Sequence, residues 1–298
     1  MHIKNYKIAD ITVEVRSDLP ITEHTFHPKF KAFETKSTAG EMVVIHHHFS
    51  GIPETPVDRD NPVHLHPPWA IFENKNQFIY EWIKPNPPFE NIGLKVIAKE
   101  DHSHLDIFHD DNDEKLFNEG SLHSLAMFPT DQIWLGRVLA HRNGCIIHSL
   151  GAIRNNHGYL FVGHSDAGKS TMAKMLMKDA VILCDDRNVI RKMENRYNAY
   201  GTWSHGDVPL VSSSSAPLRA IFFLKQSKDS RILAVEENST IIRSLLACLI
   251  RPLGTDEWWH QSIDFIIDVA KNIPCLTLEF NKSGDIVDVL NDFTSDKR

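Results

Sequence analysis

Apolar and polar residues alternate with a period of two along much of the first 110 residues. Residues 11–15 read ITVEV. Residues 42–47, 70–72, 77–83, 94–98 and 105–108 alternate in the same way or form short apolar runs, so each predicts a β-strand. The proline-rich stretch GIPETPVDRDNPVHLHPP (51–68) predicts a loop, and DDNDE (110–114) a solvated acidic turn. Past Pro129 the period becomes helical. In PTDQIWLGRVLAHRNG, Trp134, Leu135, Val138 and Leu139 form an apolar stripe, Thr130 can cap it, and Asn143-Gly144 can end it. CIIHSLGAI and GYLFVG then predict two strands joined by a turn at 154–157. A glycine-bearing loop follows, then a helix from Lys169 to about Met177. AVILCDD, NVIRKM, YNAYG and LRAIFFL (218–224) continue the strands. Helices are expected from Asn238 or Ser239 to Arg251, before Pro252, and from Asp256 to about Lys271, before Pro274. CLTLEF and DIVDVL finish the chain. The order predicts a β-rich α+β domain over residues 1–128 and an α/β domain over 129–298, with no internal repeat.

Composition narrows the function classes. The chain has 298 residues, 42% of them apolar, which supplies a core and excludes a disordered chain. Lys and Arg number 32 against 39 Asp and Glu, a net charge of −7. That balance argues against a sequence-independent nucleic-acid partner, since no excess of cations can displace counterions from phosphates. No apolar run approaches the ~18 residues that span a bilayer, so no membrane partner is expected. The start MHIKNYKIADITVEV lacks the apolar core of a signal peptide. Cys145, Cys184, Cys248 and Cys275 form no CxxC pair, and three sit in apolar runs. They predict reduced core thiols in a cytoplasmic protein. The 18 histidines cluster at 46–48, at 64 and 66, and at 102, 104 and 109. His64 and His66 would share a strand face and could chelate a metal, but no third ligand stands at a diagnostic spacing. Solvated strand and loop histidines are the simpler reading. At an interface, their protonation between about pH 6 and 7 would alter it.

The strongest signal is Gly163-His164-Ser165-Asp166-Ala167-Gly168-Lys169-Ser170, which fits G-x4-G-K-[ST] and continues into Thr171. GYLFV supplies the strand such a loop needs before it, and STMAKMLMK the helix after it. Inward backbone N–H groups and the positive end of the helix would bind the phosphates of a nucleoside triphosphate. Lys169 can reach the β- and γ-phosphates, and the Ser170 hydroxyl can hold Mg2+. Asp166 puts a carboxylate into an anion loop and must therefore point outward; its backbone can adopt a left-handed conformation. Asp185 and Asp186 end the next strand, one short helix and a turn after Lys169. Neighbours on a strand face opposite sides, so one acid can face Mg2+ and the other a substrate hydroxyl.

From about residue 145 to 206 the chain resembles the catalytic domain of HPr kinase/phosphorylase and its related proteins. The matching segments are CIIHSLG, GHSDAGKS and CDDRNVI. The resemblance implies the fold of phosphoenolpyruvate carboxykinase, with a mixed sheet, and ATP and Mg2+ as cofactors. Catalytic roles are implied for Lys169, Asp186 as the base, Asp185 in support of the metal or water, and His148, which on an apolar strand could otherwise be a satisfied core residue. The family's E-I-R-G segment is absent. GTWSHGD (201–207) occupies its place, with Asp207 a candidate for the missing acidic ligand. That segment could close over a ligand or be an ordinary loop. Arg187 and Arg191 could pair with the γ-phosphate or serve as salt-bridged strand residues. The serine run 212–215 reads as a mobile loop or linker.

The resulting expectation is a kinase that transfers the γ-phosphate to a hydroxyl, foremost a Ser of a protein or peptide. The alternatives are a kinase for a small-molecule acceptor, such as serine or a sugar, and a non-catalytic nucleotide-binding module. Homo-oligomerisation is left open.

Overall fold

The computed structural model describes residues 1–83, 92–128, 131–253 and 256–295. The chain divides into two compact units, Met1–Val138 with Pro252–Glu257, and Leu139–Arg251 with Trp258–Arg298. The sequence pattern places the boundary at residue 128. The division falls after Val138, so Trp134, Leu135 and Val138 of the buried stripe group with the first unit and Leu139 with the second. Thr130, the expected cap of that helix, lies outside the described residues.

The first unit is built on one eight-stranded sheet. Its strands are β1 (His2–Ile8), β2 (Ile11–Ser17), β3 (Glu41–His48), β4 (His64–His66), β5 (Trp69–Asn74), β6 (Gln77–Ile83), β7 (Ile92–Lys99) and β8 (His104–His109), in the order β1-β2-β3-β8-β7-β6-β5-β4. β3 runs parallel to both β2 and β8; the other pairs are antiparallel. Ala9 and Asp10, at φ 50 and 60°, make the two-residue turn that reverses β1 into β2.

Three expectations are corrected in this unit. The proline-rich stretch contains a short strand, β4, which gains its ladder from β5. The acidic turn is the start of a helix, α1 (Asp111–Glu119): the Asp110 carboxylate accepts from the Asn112 N–H at 2.9 Å, and three acids fill the positive first turn. Finally, His47, His102 and His109 are not solvated but at most 1% exposed. His47 Nδ1 lies 2.9 Å from His109 Nε2, its Nε2 donates to the Leu125 carbonyl at 2.8 Å, and Tyr80 Oη is 2.6 Å from His102 Nε2. Burial, reinforced by the adjacent His109, pushes the pKa of His47 down to about 3.

A π-helical turn (Asp131–Leu135) leads into α2 (Gly136–Ala140). The second unit follows with β9 (Gly144–Arg154), β10 (His157–Val162), α3 (Lys169–Leu176), β11 (Val181–Cys184), β12 (Arg187–Met193), β13 (Arg196–Tyr200), β14 (Ser215–Gln226), β15 (Arg231–Ala234), α4 (Asn238–Ala247), α5 (Asp256–Asn272), β16 (Cys275–Phe280) and α6 (Ile286–Ser295). Asn155-Asn156 and Glu194-Asn195 turn two hairpins with positive φ at both positions. The sheet is mixed. β10, β14 and β16 are mutually parallel neighbours, and the remaining pairs are antiparallel. The long strands β9 and β14 each change partners along their length. The start of β9 pairs with β12 and its end with β10 and β11; the start of β14 pairs with β13 and its remainder with β10 and β16.

Alternation sorts the two faces of this sheet. Leu160 and Val162 of β10 join Ile241 and Leu245 of α4 and Ile266 of α5 in one core; Tyr159 and Phe161 join Met172 of α3 and Leu290 of α6 in another. Ile286, Leu290 and Phe293 follow the helical period, so DIVDVL opens a helix rather than extending the sheet. The helix expected to reach Arg251 stops at Ala247, because Ile250 N–H donates to the Ile146 carbonyl at 2.9 Å and this apolar segment bridges to β9. All four cysteines are buried free thiols, and burial pushes Cys275 up to about 12. Among the described residues no helix is long and apolar enough to cross a membrane.

Candidate functional site

The register of β9 explains where the chemistry gathers. β10 pairs along one side of it, ending with Val162 opposite Ser149. β11 and then β12 pair along its other side, with Cys184 opposite Gly151 and Arg187 opposite His148. Asp185 and Asp186 are therefore not a strand end that opens into a loop. They form a two-residue break between β11 and β12, just past a register shift at Ile182–Cys184, and the Asp186 carbonyl still accepts from the Ser149 N–H at 2.9 Å. Both flanking strands deliver their next residues at the level of Ser149: the loop 163–168 on one side and the acidic pair on the other.

Glycines shape the loop. A Cβ on Gly163 would meet the Ala167 Cβ at 2.5 Å, and one on Gly168 would meet Phe280 at 2.5 Å. Gly168 has φ 103° and serves as the N-cap of α3 with no side-chain cap, so the first N–H groups of that helix are left to other partners. Asp166 takes φ 67° and is exposed, and its carbonyl accepts from the Gln226 side chain at 2.8 Å. His164 and Ser165 are also exposed. The Lys169 ammonium, 7% exposed as a residue, donates to the Gly163 and His164 carbonyls at 2.8 Å each. Burial draws the Lys169 pKa below its ordinary value, against the pull of Cys248, Asp186, Asp185 and Asp166. Thr171 follows as the third residue of α3.

The two aspartates have different surroundings. Asp185 is 2% exposed; its carboxylate accepts from the Gly206 N–H at 2.6 Å and the Val208 N–H at 3.0 Å. The Ser170 hydroxyl lies 3.1 Å from Asp185 Oδ2 and 3.3 Å from Asp207 Oδ2. Two carboxylates and a hydroxyl are the hard oxygen donors that suit Mg2+, and the hydroxyl cannot donate fully to both acids at once. At this site Ser170, Asp185 and Asp207 could hold a divalent cation. Asp186 points elsewhere, with Oδ1 3.0 Å from His148 Nδ1 and Oδ2 3.3 Å from Arg187 Nε. Burial alone would raise the Asp186 pKa. The His148 hydrogen bond and the charges of Arg187, His148 and Lys169 outweigh it and hold the carboxyl below its usual range.

Arg191, the first half of GTWSHGD and the serine run stand apart from these contacts. Arg191 is buried four residues along β12, about 13 Å at strand spacing, where it donates to the Arg142 carbonyl at 3.1 Å. The GTWSHGD segment is fixed over its first half: a Cβ on Gly201 would meet the Ser212 carbonyl at 2.1 Å, Thr202 donates to the Arg187 carbonyl at 2.6 Å, and Trp203 is 1% exposed. Only its second half, wrapped around Asp185, borders the site. The serine run is tied to the sheet, with the Ser212 N–H donating to the Leu183 carbonyl at 2.8 Å and Ser215 opening β14. The backbone N–H groups of Gly206 and Val208 carry no sequence signal; only the fold shows that they hold Asp185.

No curated protein matches the chain. The resemblance to HPr kinase/phosphorylase-related proteins, read from CIIHSLG, GHSDAGKS and CDDRNVI, is overturned, because the family model that matches residues 132–293 is a different one. Those short segments describe a site chemistry that more than one family can carry. The match covers residues 132–293, more than half of the sequence, and on it the chain belongs to the family of SynChlorMet cassette protein ScmC.

Proposed function

We propose that the second unit binds ATP through the loop Gly163–Thr171 and transfers its terminal phosphoryl group to a hydroxyl, foremost a Ser of a protein or peptide. The observation that carries this reading is the convergence at Ser149: a buried lysine on a glycine-shaped loop on one side of β9, and two acids in different surroundings on the other. Entering phosphates exchange the lysine's two carbonyl partners for stronger charge-assisted bonds, and the open end of α3 adds N–H donors. Ser170, Asp185 and Asp207 would hold Mg2+, which would supply neutralisation of the phosphate charge.

In the transfer, the acceptor oxygen bonds to the γ-phosphorus, the bond to the β-bridging oxygen breaks, ADP leaves, and the hydroxyl proton passes to Asp186. A carboxylate held below its usual pKa range is a weak base. Asp186 therefore acts chiefly by orienting the hydroxyl in line, which suffices for a loose transition state that needs little proton removal early on. His148 and Arg187 hold it in place. The four buried thiols support a reducing, cytoplasmic setting.

The test is incubation of the full chain with γ-labelled ATP and Mg2+ against an extract, followed by identification of the labelled species. A labelled polypeptide supports the reading, and a labelled metabolite redirects it to a small-molecule kinase. Binding of Mg-ATP without any transfer would reduce the protein to a nucleotide-binding module, and absence of binding would remove the proposal.

A further inference from the structure

A second cluster of chemistry lies in the first unit, on one face of its sheet. β2, β3 and β8 are parallel neighbours, with Arg16 opposite His46 and His46 opposite Asp106. His46 and His48 are two residues apart on β3 and share that face, and Asp18 follows Arg16 by the same step. The two imidazoles lie with ring centroids 3.8 Å apart, between the carboxylates of Asp18 and Asp106.

We propose that Asp18, His46 and His48 bind a divalent transition metal of the Zn2+ type, with Asp106 as the outer partner that orients His48. Each of the three offers a ligand atom within 4.8 Å of the other two. His46 Nε2 stands 3.6 Å from Asp18 Oδ1, and His48 Nδ1 stands 3.8 Å from Asp18 Oδ2. Donors around a tetrahedral ion bound at about 2.1 Å lie about 3.4 Å from one another, so the cluster has ligand spacing rather than hydrogen-bond spacing.

Two further observations separate this from an ordinary surface ion pair. His46 Nε2 is inaccessible to solvent and takes no hydrogen bond, an uncommon state for a buried polar atom. His48 Nε2 lies 2.8 Å from Asp106 Oδ1. A carboxylate accepts, so in the neutral ring the proton sits on Nε2 and the lone pair on Nδ1, facing Asp18. That is the carboxylate–histidine arrangement that fixes the tautomer of a metal ligand. His104 Nε2, 3.4 Å from Asp106 Oδ2, and the Phe108 ring, stacked on His48 at 4.6 Å, hold this outer layer.

The donor set selects the metal. Two imidazoles and one carboxylate suit Zn2+, Co2+ or Fe2+ and disfavour Mg2+ and Ca2+. Asp18 is 44% exposed, so the remaining coordination position opens to solvent. His64 and His66, the pair singled out by spacing, have ring centroids 6.4 Å apart and no third ligand among the described residues.

The experiment is titration of the metal-free full chain with Co2+, read by visible absorption, and with Zn2+ in competition with a chromogenic chelator. One equivalent of Co2+ should give ligand-field bands that Zn2+ abolishes. His46→Ala and His48→Ala should each weaken uptake by about 100-fold or more, and Asp106→Asn by about 10–100-fold. The double variant His64→Ala/His66→Ala and the variant Ser170→Ala should bind as the parent does. Far-UV circular dichroism checks folding; if an alanine variant unfolds, His46→Gln and Asp18→Asn replace it with the same expected loss. Absence of stoichiometric uptake by the parent, or uptake that survives loss of both His46 and His48, overturns the proposal, as does uptake that follows Ser170 instead.

Discussion

The two sheets handle charge in opposite ways. In the first unit the ladder runs unbroken through β2, β3 and β8; register sets His46, His48 and Asp106 on one face, and Asp18 follows directly after β2. In the second unit the ladder beside β9 is broken at Asp185 and Asp186. The break releases two consecutive residues from alternation and aims one toward Ser170 and the other toward His148. A face cluster can gather ligands at a fixed spacing of two residues, which suits a static ion. A broken ladder can aim adjacent side chains at two different groups, which suits a reaction with two partners.

Breaking the second arrangement should produce the largest effects. Lys169→Ala removes the one ammonium lodged in the loop. Phosphoryl transfer should fall by about 10³-fold or more in the labelled-ATP assay, and Mg-ATP affinity in calorimetry should fall with it. An unaffected rate would mean that the loop is not the phosphate site. Asp186→Asn should lower transfer by about 10²–10³-fold while nucleotide affinity stays within about threefold. Equal losses in both would show that the residue serves binding and that the division of labour between the aspartates is wrong. Gly168→Ala forces a side chain into φ 103° and against Phe280 at 2.5 Å. It should cost about 2–3 kcal/mol in urea unfolding of the full chain.

The smallest effect probes the first unit. His47 is pushed down to about 3 while its unfolded counterpart keeps a pKa near 6.5. Between those values the unfolded chain binds the extra proton, so stability is full above about pH 6.5 and declines as pH falls toward 3. His47→Gln should flatten that decline, by on the order of 1–2 kcal/mol between pH 7 and 5, in urea midpoints taken across this range. His46, also held below its ordinary value by burial and by His48, remains to give a residual slope. An unchanged slope would show that other groups control the acid response.

Much of the architecture was legible because it rests on local rules. Alternation located most strands of both units, and the asparagines at 155 and 156 announced the turn between β9 and β10. Two of the failures are local patterns overridden by a strand partner. Proline suggested a loop where β5 offers His64–His66 a ladder. A helical period at 238–251 was cut short by Ile146. Histidine, neutral or charged within the ordinary pH range, gave no hint that positions 47, 102 and 109 would be buried. In the site, the loop and both acids could be read from spacing, and so could Asp207 as a candidate ligand. The amides of Gly206 and Val208 could not, and the short segments misdirected the family assignment, since few residues suffice to bind a phosphate.

By itself the sequence determined the chemical types: a glycine-bounded loop with its lysine, an acidic pair one short helix later, four thiols without a pairing pattern, and runs of histidine. These follow from covalent order and from the local preferences of each residue. The tertiary structure alone decided that β10 and the β11–β12 break reach the same level of β9, which neighbours Asp185 and Asp186 each face, and that His46 and His48 lie between two carboxylates. Each of those facts depends on hydrogen-bond register between strands far apart in the chain, and a shift of one residue would have turned every one of these side chains to the opposite face.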